Sequence, residues 1–499
     1  MFMIANHLKE DTGDRVVPTY LGRNLQRQSI SHLRWAPFVS FLVKSIVIFL
    51  VIWTPTQNSL TRAYPILPSQ MVWLGEVLII LLVPLRLSYS IRRPRHKTSP
   101  ITWTKLLLFS FILVGLISTL LNHGPLLNAV MGYRSLLQYS IVYFVLATER
   151  IDDKYVWLFL KALIVVALLQ VPVTFIQMVI SYVRFGWIDD DSIFGTFNIN
   201  QANTLAYFVS IVFLVLLGIW NHYPRYRRRI TVILLLLIVP FLAASSRAML
   251  LLMPVIVLWV EREAIFGAWK SKRNFKRMTY LVLGGLILIS AALVYLHTRG
   301  FGWERLSPSQ LLRDSIAINA VGNGGRLTHV IYTYQTLSQM PWGLWVGMGP
   351  GMYVSGAGYF LNSPGLRTIT DYFGQQLYGS QYYYGMQVWL PEYAGDTFYL
   401  RDFSQLTSTL GEWGFLGLVL YASIVFTFLI VGARMHRKAT NLPLLRVLGG
   451  AVTGTALLSL VTVPIISLWE EKALAFLLWS LAGLMLGYFR TNMKSGMRI

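Results

Sequence analysis

The chain has 499 residues, of which 55% are hydrophobic and 13% charged, and its mean hydropathy is +0.55. That balance is too apolar for a water-soluble globular protein. Lys and Arg outnumber Asp and Glu by 43 to 21, a net charge of +22, and there are no cysteines, which excludes disulfides, thiolate catalysis and cysteine metal sites.

Residues 1–35 are polar and mixed in charge, and they lack an apolar run. They read as a cytoplasmic tail, with room for a short interfacial helix, rather than a cleavable signal peptide. Beyond them, apolar runs of about 18 residues or more recur, and these read as transmembrane helices because lipid leaves the backbone no other way to satisfy itself. The spans fall near 36–54, 70–86, 104–121, 135–148, 155–182, 201–220, 230–244, 248–260, 278–297, 405–433, 446–467 and 473–489. The expected fold is therefore an all-α polytopic membrane bundle of about twelve helices. Nine lie in 36–297, a large extracytoplasmic loop occupies 298–404 between helices 9 and 10, three more helices fill 405–489, and 490–499 forms a second cytoplasmic tail.

Counting loops alternately puts Arg92, Arg93, Arg95, Lys97, Arg225, Arg227 to Arg229, Lys270 to Arg277, Arg434, Arg437 and Lys438 on one side. The short loops opposite hold little beyond Arg62, Arg134, Arg184, Arg247 and Lys472. By the positive-inside rule the dense side and both termini are cytoplasmic. The basic charge is then a matter of topology, with attraction to anionic lipid second, and a nucleic-acid partner loses its support. Lys44, Glu76 and Lys161 fall inside spans, and a Lys44–Glu76 pair across the first two helices is one reading of them.

The stretch FLAASSRAMLLLMP sets Arg247 in the tight outer turn between the seventh and eighth spans. Arg326 follows NGG and opens an amphipathic helix that runs to the turn at Pro341, and Arg134 begins the fourth span from the outer side. A lone arginine at a helix end commonly snorkels. Three on the side that disfavours basic residues suit an outward cavity for phosphate or diphosphate, because a guanidinium stays charged and binds such oxygens bidentately. The large loop is crowded with aromatics, among them Trp342, Trp345, Tyr382, Tyr383, Tyr384 and Trp389. Flat amphipathic rings fit a membrane-surface belt and the faces of sugar rings equally. The run Asp189 to Asp191 reads as hydrated surface carboxylates in preference to a metal site, and no metal or cofactor is expected.

Four stretches in this order resemble the superfamily of bacterial O-antigen ligases and O-antigen or exopolysaccharide polymerases. They are GTFNINQANTLAYFV from Gly195, SSRAMLLL, GGRLTHVIYTYQTLSQMPWGLWVGMGPG from Gly324, and LTSTLGEWGFLGLVLY from Leu406. The resemblance covers most of residues 100–435. It implies a GT-C-like bundle in the bacterial inner membrane that transfers glycan from undecaprenyl diphosphate to an acceptor hydroxyl on the outer face. It further implies that Arg247 and Arg326 contact the diphosphate, with chain-length regulator and flippase proteins as partners. Ligases of the family carry a base histidine shortly before the Glu-x-Gly motif, whereas here Phe403 and Ser404 stand there, and no histidine lies between His329 and His436. That departure favours a polymerase over a ligase. The candidates for a base are then Asp402 first, with Glu412 and His329 behind it, and Asp402 is equally placed to pair with Arg401 or cap the next helix. Arg134, Arg401, His329, Glu412, Trp342 and Tyr383 are the expected substrate contacts. A lipid-linked glycan transporter would also use outward arginines, but it predicts more deep charges and an internal repeat. A non-catalytic envelope scaffold gives no reason for arginines at three separated helix ends.

Overall fold

The computed structural model of the chain describes residues 20–63, 66–90, 99–124, 126–186, 192–197, 201–244, 246–262, 326–353, 404–439, 441–464 and 469–492. All regular structure among the described residues is helical. Among the described residues, seven helical stretches are long and apolar enough to cross a membrane: Pro37–Thr61, Pro100–Leu121, Asp153–Phe185, Ala202–His222, Gln405–Lys438, Pro443–Val461 and Lys472–Asn492. The predicted spans 70–86, 135–148, 230–244 and 248–260 coincide with shorter helices, and 278–297 lies outside the described residues.

In chain order the helices are α1 (Tyr20–Asn58), α2 (Leu74–Ser90), α3 (Ser99–Leu121), α4 (Leu126–Leu137), α5 (Ser140–Thr148), α6 (Asp153–Phe185) and α7 (Ala202–His222). There follow α8 (Arg227–Ala243), α9 (Arg247–Val260), α10 (Arg326–Ser338), α11 (Gly343–Val346), α12 (Gln405–Lys438), α13 (Pro443–Val461) and α14 (Lys472–Asn492). Two differences from the sequence expectation stand out. Helix α1 reaches back to Tyr20, so half of the expected polar tail is helix continuous with the first span. The fourth span is two helices, α4 and α5, separated at Gln138–Tyr139, where the Ser140 hydroxyl donates to the Leu137 carbonyl at 2.7 Å.

Local chemistry sets several boundaries. Asp152 caps α6 by accepting from the Tyr155 amide at 3.2 Å, and Gly186, at φ 75°, ends it. The 33 residues between them span about 50 Å, more than the hydrocarbon thickness, so α6 must tilt or project beyond it. Ser404 caps α12 through the Thr407 amide at 3.1 Å.

Burial sorts the helices into two layers. The most apolar stretches of α14, α7 and α13 are 94%, 83% and 78% buried within the protein, against 33% for α3 and α6. The first three form the centre; α1, α2, α3 and α6 turn apolar faces outward, with Phe41, Ile80, Phe109 and Val183 among the exposed side chains. Glycines let the inner helices approach closely: a Cβ on Gly483 of α14 would stand 2.8 Å from the Tyr143 carbonyl of α5, and one on Gly449 of α13 2.8 Å from the Gly432 carbonyl of α12. A cluster of tilted and edge-to-face rings, Tyr421, Trp469, Trp479 and Phe428, joins α12 to α14, with ring centroids 4.5 to 5.2 Å apart.

The two ends of the bundle differ in charge. One carries Arg150, Lys154, Arg225, Arg227 to Arg229, Arg262, Arg437, Lys438 and Arg490. There Glu149 joins α5 to α1 and α2 by accepting from Ser40 at 2.7 Å and pairing with Arg86 at 3.2 Å. Lys44 lies toward this end, its ammonium over the Tyr155 ring at 5.5 Å. Glu76 sits in the first turn of α2 at the opposite end, so the Lys44–Glu76 pair is not formed: antiparallel α1 and α2 carry the two charges to different depths.

Candidate functional site

The end opposite the basic one gathers most of the residues singled out from sequence. Its most compact charged group centres on Glu76, which is 9% exposed. Arg134 of α4 forks onto it, Nε donating to Oε2 at 2.7 Å and Nη2 to Oε1 at 2.5 Å. Lys472, the first residue of α14, donates to the same Oε1 at 2.8 Å. The Trp73 ring lies 4.4 Å from the guanidinium carbon and fixes its plane. Beneath them Tyr139, 2% exposed, interacts electrostatically with Glu76, Arg134 and Glu471, and Glu471 accepts from the Gln201 amide at 2.9 Å. Four helices, α2, α4, α7 and α14, thus meet through ionic and amide groups where α2, α7 and α14 begin.

A second construction is built on a broken helix. Within α12 the backbone leaves helical geometry at Gly414, with φ 65° and ψ −165°, which frees carbonyls that a continuous helix would use internally. The turn after α11 supplies the missing donors: Met348 N–H to the Gly411 carbonyl at 2.7 Å and Gly349 N–H to the Glu412 carbonyl at 3.0 Å. Gly347, at φ 76°, makes this possible, because a Cβ there would overlap the Glu412 backbone. Its own carbonyl accepts from Ser118 at 2.9 Å and Asn122 at 3.0 Å at the end of α3. Thr333 of α10 bonds the Tyr353 hydroxyl beyond the turn. The Glu412 side chain is 1% exposed, and Trp413 beside it stacks on Phe111 at 4.9 Å. Irregular backbone at such depth is tolerated when protein covers it, as here.

A third element is the segment 192–197, which is buried although it is not a regular helix. Two glutamines of α6 stand in for the missing backbone partners. Gln177 accepts from the Phe194 and Gly195 amides at 3.1 and 2.8 Å and donates to the Gly195 carbonyl at 2.9 Å. Gln170 accepts from the Thr196 amide at 2.8 Å and donates to its hydroxyl at 2.7 Å, and that hydroxyl donates to the Pro55 carbonyl of α1 at 3.1 Å.

The expected site residues are distributed as follows. Arg134 carries no bare guanidinium: it is ion-paired to Glu76. Arg247 is the first residue of α9, at this end of the bundle by chain direction; Arg326 is the first residue of α10, which is tied through Thr333 to Tyr353 beside the start of α12, and His329 lies one turn into α10; the side chains of Arg247, Arg326 and His329 lie outside the described residues. Trp342 precedes α11 and is 59% exposed. Glu412 is buried at the helix break. Tyr383, Arg401, Asp402 and the Asp189 to Asp191 run lie outside the described residues. Among the described residues no group of three or more His, Asp or Glu side chains is arranged to hold a metal ion.

Sequence reasoning did not single out Lys472 or the glutamine pair as partners. The glutamines left a readable trace, since Gln170, Thr174, Gln177 and Ser181 fall on one face of an apolar helix and all are buried. Lys472 left none, because its partner Glu76 stands 396 positions away in the chain. No protein-family profile matches the chain, and no curated protein matches it.

Proposed function

We propose that the chain is a membrane glycan polymerase, joining oligosaccharide repeat units carried on undecaprenyl diphosphate at the outer face of the bacterial inner membrane. The observation that supports this reading is that the helix opened by Arg247 starts at the same end of an apolar bundle as the Arg134–Glu76–Lys472 cluster, and that α10, opened by Arg326, is tied through Thr333 to Tyr353 beside the start of α12. The reading includes twelve crossings, cytoplasmic termini at the basic end, and residues 298–404 as an extracytoplasmic loop.

In the proposed reaction the acceptor hydroxyl oxygen bonds to the anomeric carbon as the bond from that carbon to the diphosphate oxygen breaks. The hydroxyl proton passes to a carboxylate or imidazole, for which Asp402, Glu412 and His329 are the candidates. The leaving diphosphate takes the electron pair, and Arg247 and Arg326 stabilise the charge that grows on it in a poorly solvated site. Arg401, Trp342 and Tyr383 are assigned to the glycan.

Replacing Arg247 or Arg326 by alanine is expected to abolish polymer while the protein still accumulates in the membrane. Polymer of normal length in both variants, on a gel of the cell's polysaccharide, refutes the reading. A ligase instead predicts that loss of the gene leaves long polymer on its lipid carrier, unattached to an acceptor. The broken helix α12 is the feature that favours transport of lipid-linked glycan, since transporters build substrate sites on interrupted helices. Against this, the freed carbonyls of Gly411 and Glu412 are already taken by Met348 and Gly349.

A further inference from the structure

At the basic end of the bundle, two cations stand on outward apolar faces and not in loops. Lys161 lies about 12 Å from the start of α6, on the face that also exposes Leu158, Val165 and Leu169. Arg228 heads the matching face of α8, followed by the exposed Val232, Leu235 and Val239. The two helices are neighbours and start level with each other. Trp157 of α6 packs edge-on against Tyr223 and Tyr226, at 5.1 and 5.8 Å, and Tyr226 immediately precedes α8. From that contact the helical rise carries Arg228 about 3 Å and Lys161 about 6 Å in the same direction, so the two cations reach nearly one depth.

Their charge is not answered from within. Residues 152–161 and 225–229 hold six cations and two carboxylates. Asp152 caps α6 on the Tyr155 amide, and Asp153 accepts from the Tyr488 hydroxyl at 2.8 Å. Arg227 turns back to the Trp220 carbonyl at 3.0 Å, and Arg225 lies over the Tyr226 ring. Among the described residues, Lys161, Arg228 and Arg229 have no ion pair. Helix α8 also begins with no side-chain cap and no acidic residue in its first turn, where the helix dipole favours an anion.

We propose that the seam between α6 and α8 holds an anionic phospholipid of the leaflet at the basic end, with its phosphate shared by Lys161 and Arg228 and its acyl chains along the exposed apolar residues of both helices. Charge complementarity selects the occupant. A phosphodiester supplies the anion that six cations, two committed carboxylates and an uncapped helix start lack, and its chains cover side chains that face only lipid. A bound phosphate also lowers the cost of holding Lys161 and Arg228 on apolar faces, because it replaces the water they give up. Two cations that only snorkel reach separate headgroups and retain no lipid in particular. The seam lies at the opposite end of the bundle from Arg247, and glycan transfer plays no part in it.

The test uses the full chain, stripped of lipid in detergent, and titrates it with phosphatidylglycerol or, as the neutral control, phosphatidylcholine, counting bound lipids by native mass spectrometry. The first phosphatidylglycerol is expected to bind more tightly than phosphatidylcholine. Lys161→Leu and Arg228→Leu are each expected to weaken that first binding about fivefold. Both place an apolar side chain on a lipid-facing surface, so neither threatens the fold, and Lys161→Arg, which keeps the charge at the same depth, is expected to retain the affinity. Lys438→Leu removes one charge from the same end, in the last turn of α12, and is expected to leave the first binding unchanged. Equal weakening in Lys438→Leu marks attraction by net charge alone and overturns the proposal. Unchanged affinity in Lys161→Leu or Arg228→Leu, loss of affinity in Lys161→Arg, or equal binding of the two lipids overturns it as well.

Discussion

Replacing Gly347 by alanine drives a Cβ into the Glu412 backbone at the break in α12. The backbone there, φ 76° and ψ −168°, lies in a region that essentially only glycine adopts, which costs about 1–3 kcal/mol for another residue. Relieving the overlap moves the turn away from α12 and lengthens two bonds, Met348 N–H to Gly411 at 2.7 Å and Gly349 N–H to Glu412 at 3.0 Å. Each is worth about 1 kcal/mol net, and more when the carbonyl is left buried, so the whole change costs about 3–6 kcal/mol. Gly186 provides the control, because it has nearly the same φ, 75°, but nothing within 4 Å of a built Cβ. Gly186→Ala therefore carries backbone strain alone, about 1–2 kcal/mol. Thermal unfolding of the detergent-purified variants, followed by tryptophan fluorescence, separates the two. If Gly347→Ala unfolds at the same temperature as Gly186→Ala, the turn is not seated on the broken helix as described.

Three further predictions concern other parts of the bundle. Glu149→Ala removes the partner of Arg86 and the acceptor of Ser40, and it should lower stability by about 3 kcal/mol, the low end for a buried pair because Arg86 is 17% exposed; an unchanged unfolding midpoint refutes this. Gln177→Leu strips three bonds from the segment 192–197 and should speed hydrogen exchange at the Phe194 and Gly195 amides by more than tenfold, whereas retained protection means that the glutamine is not what holds them. Glu261, just past the end of α9, has its carboxyl pushed upward by burial, an effect that exceeds the opposing pull of His436 and of the Asn221 amide bonded to it at 2.7 Å. A raised folded-state value means stability that is full below the ordinary carboxylate range and is lost as pH rises through the folded value. Wild type should therefore lose stability relative to Glu261→Gln as the pH rises above the ordinary carboxylate range, and parallel curves for the two proteins would contradict the assignment.

Hydropathy made the long apolar helices legible, because lipid forces a helix wherever the run is long enough. It failed where the apolar signal was diluted. The stretch LLNAVMGYRSLL is a helix, but Asn128, Gly132 and Arg134 lower its mean hydropathy, so the fourth span was expected to begin at 135 instead of 126. The polar residues from Tyr20 onward hid the first half of α1 in the same way. At the site the sequence marked which residues carry charge and not which charges meet. Arg134 was legible as an arginine at a helix end, but its pairing depends on a carboxylate 58 positions earlier and an amine near the other end of the chain, and no local pattern encodes that. Glu412 and the Pro and Gly-rich turn were legible as motifs. Their joint role in completing a broken helix depends on the sign of φ at Gly347 and Gly414, which only the folded backbone fixes.

The layering of the bundle bears on how it is assembled. Helix α14, the most enclosed of the candidate spans, is also the latest in chain order among the described helices, and α13 immediately precedes it. As synthesis proceeds, the earlier crossings reach the bilayer with nothing yet in the place that α14 will fill. Their inward faces, including Glu76, Arg134 and the Gly432 notch, must wait in lipid or against an insertion factor. Docking of α14 then closes the centre and supplies Lys472 to its carboxylate together. A nascent chain stalled short of that event presents buried polar groups to the membrane, the kind of exposure by which quality-control proteases distinguish an unfinished protein from a finished one.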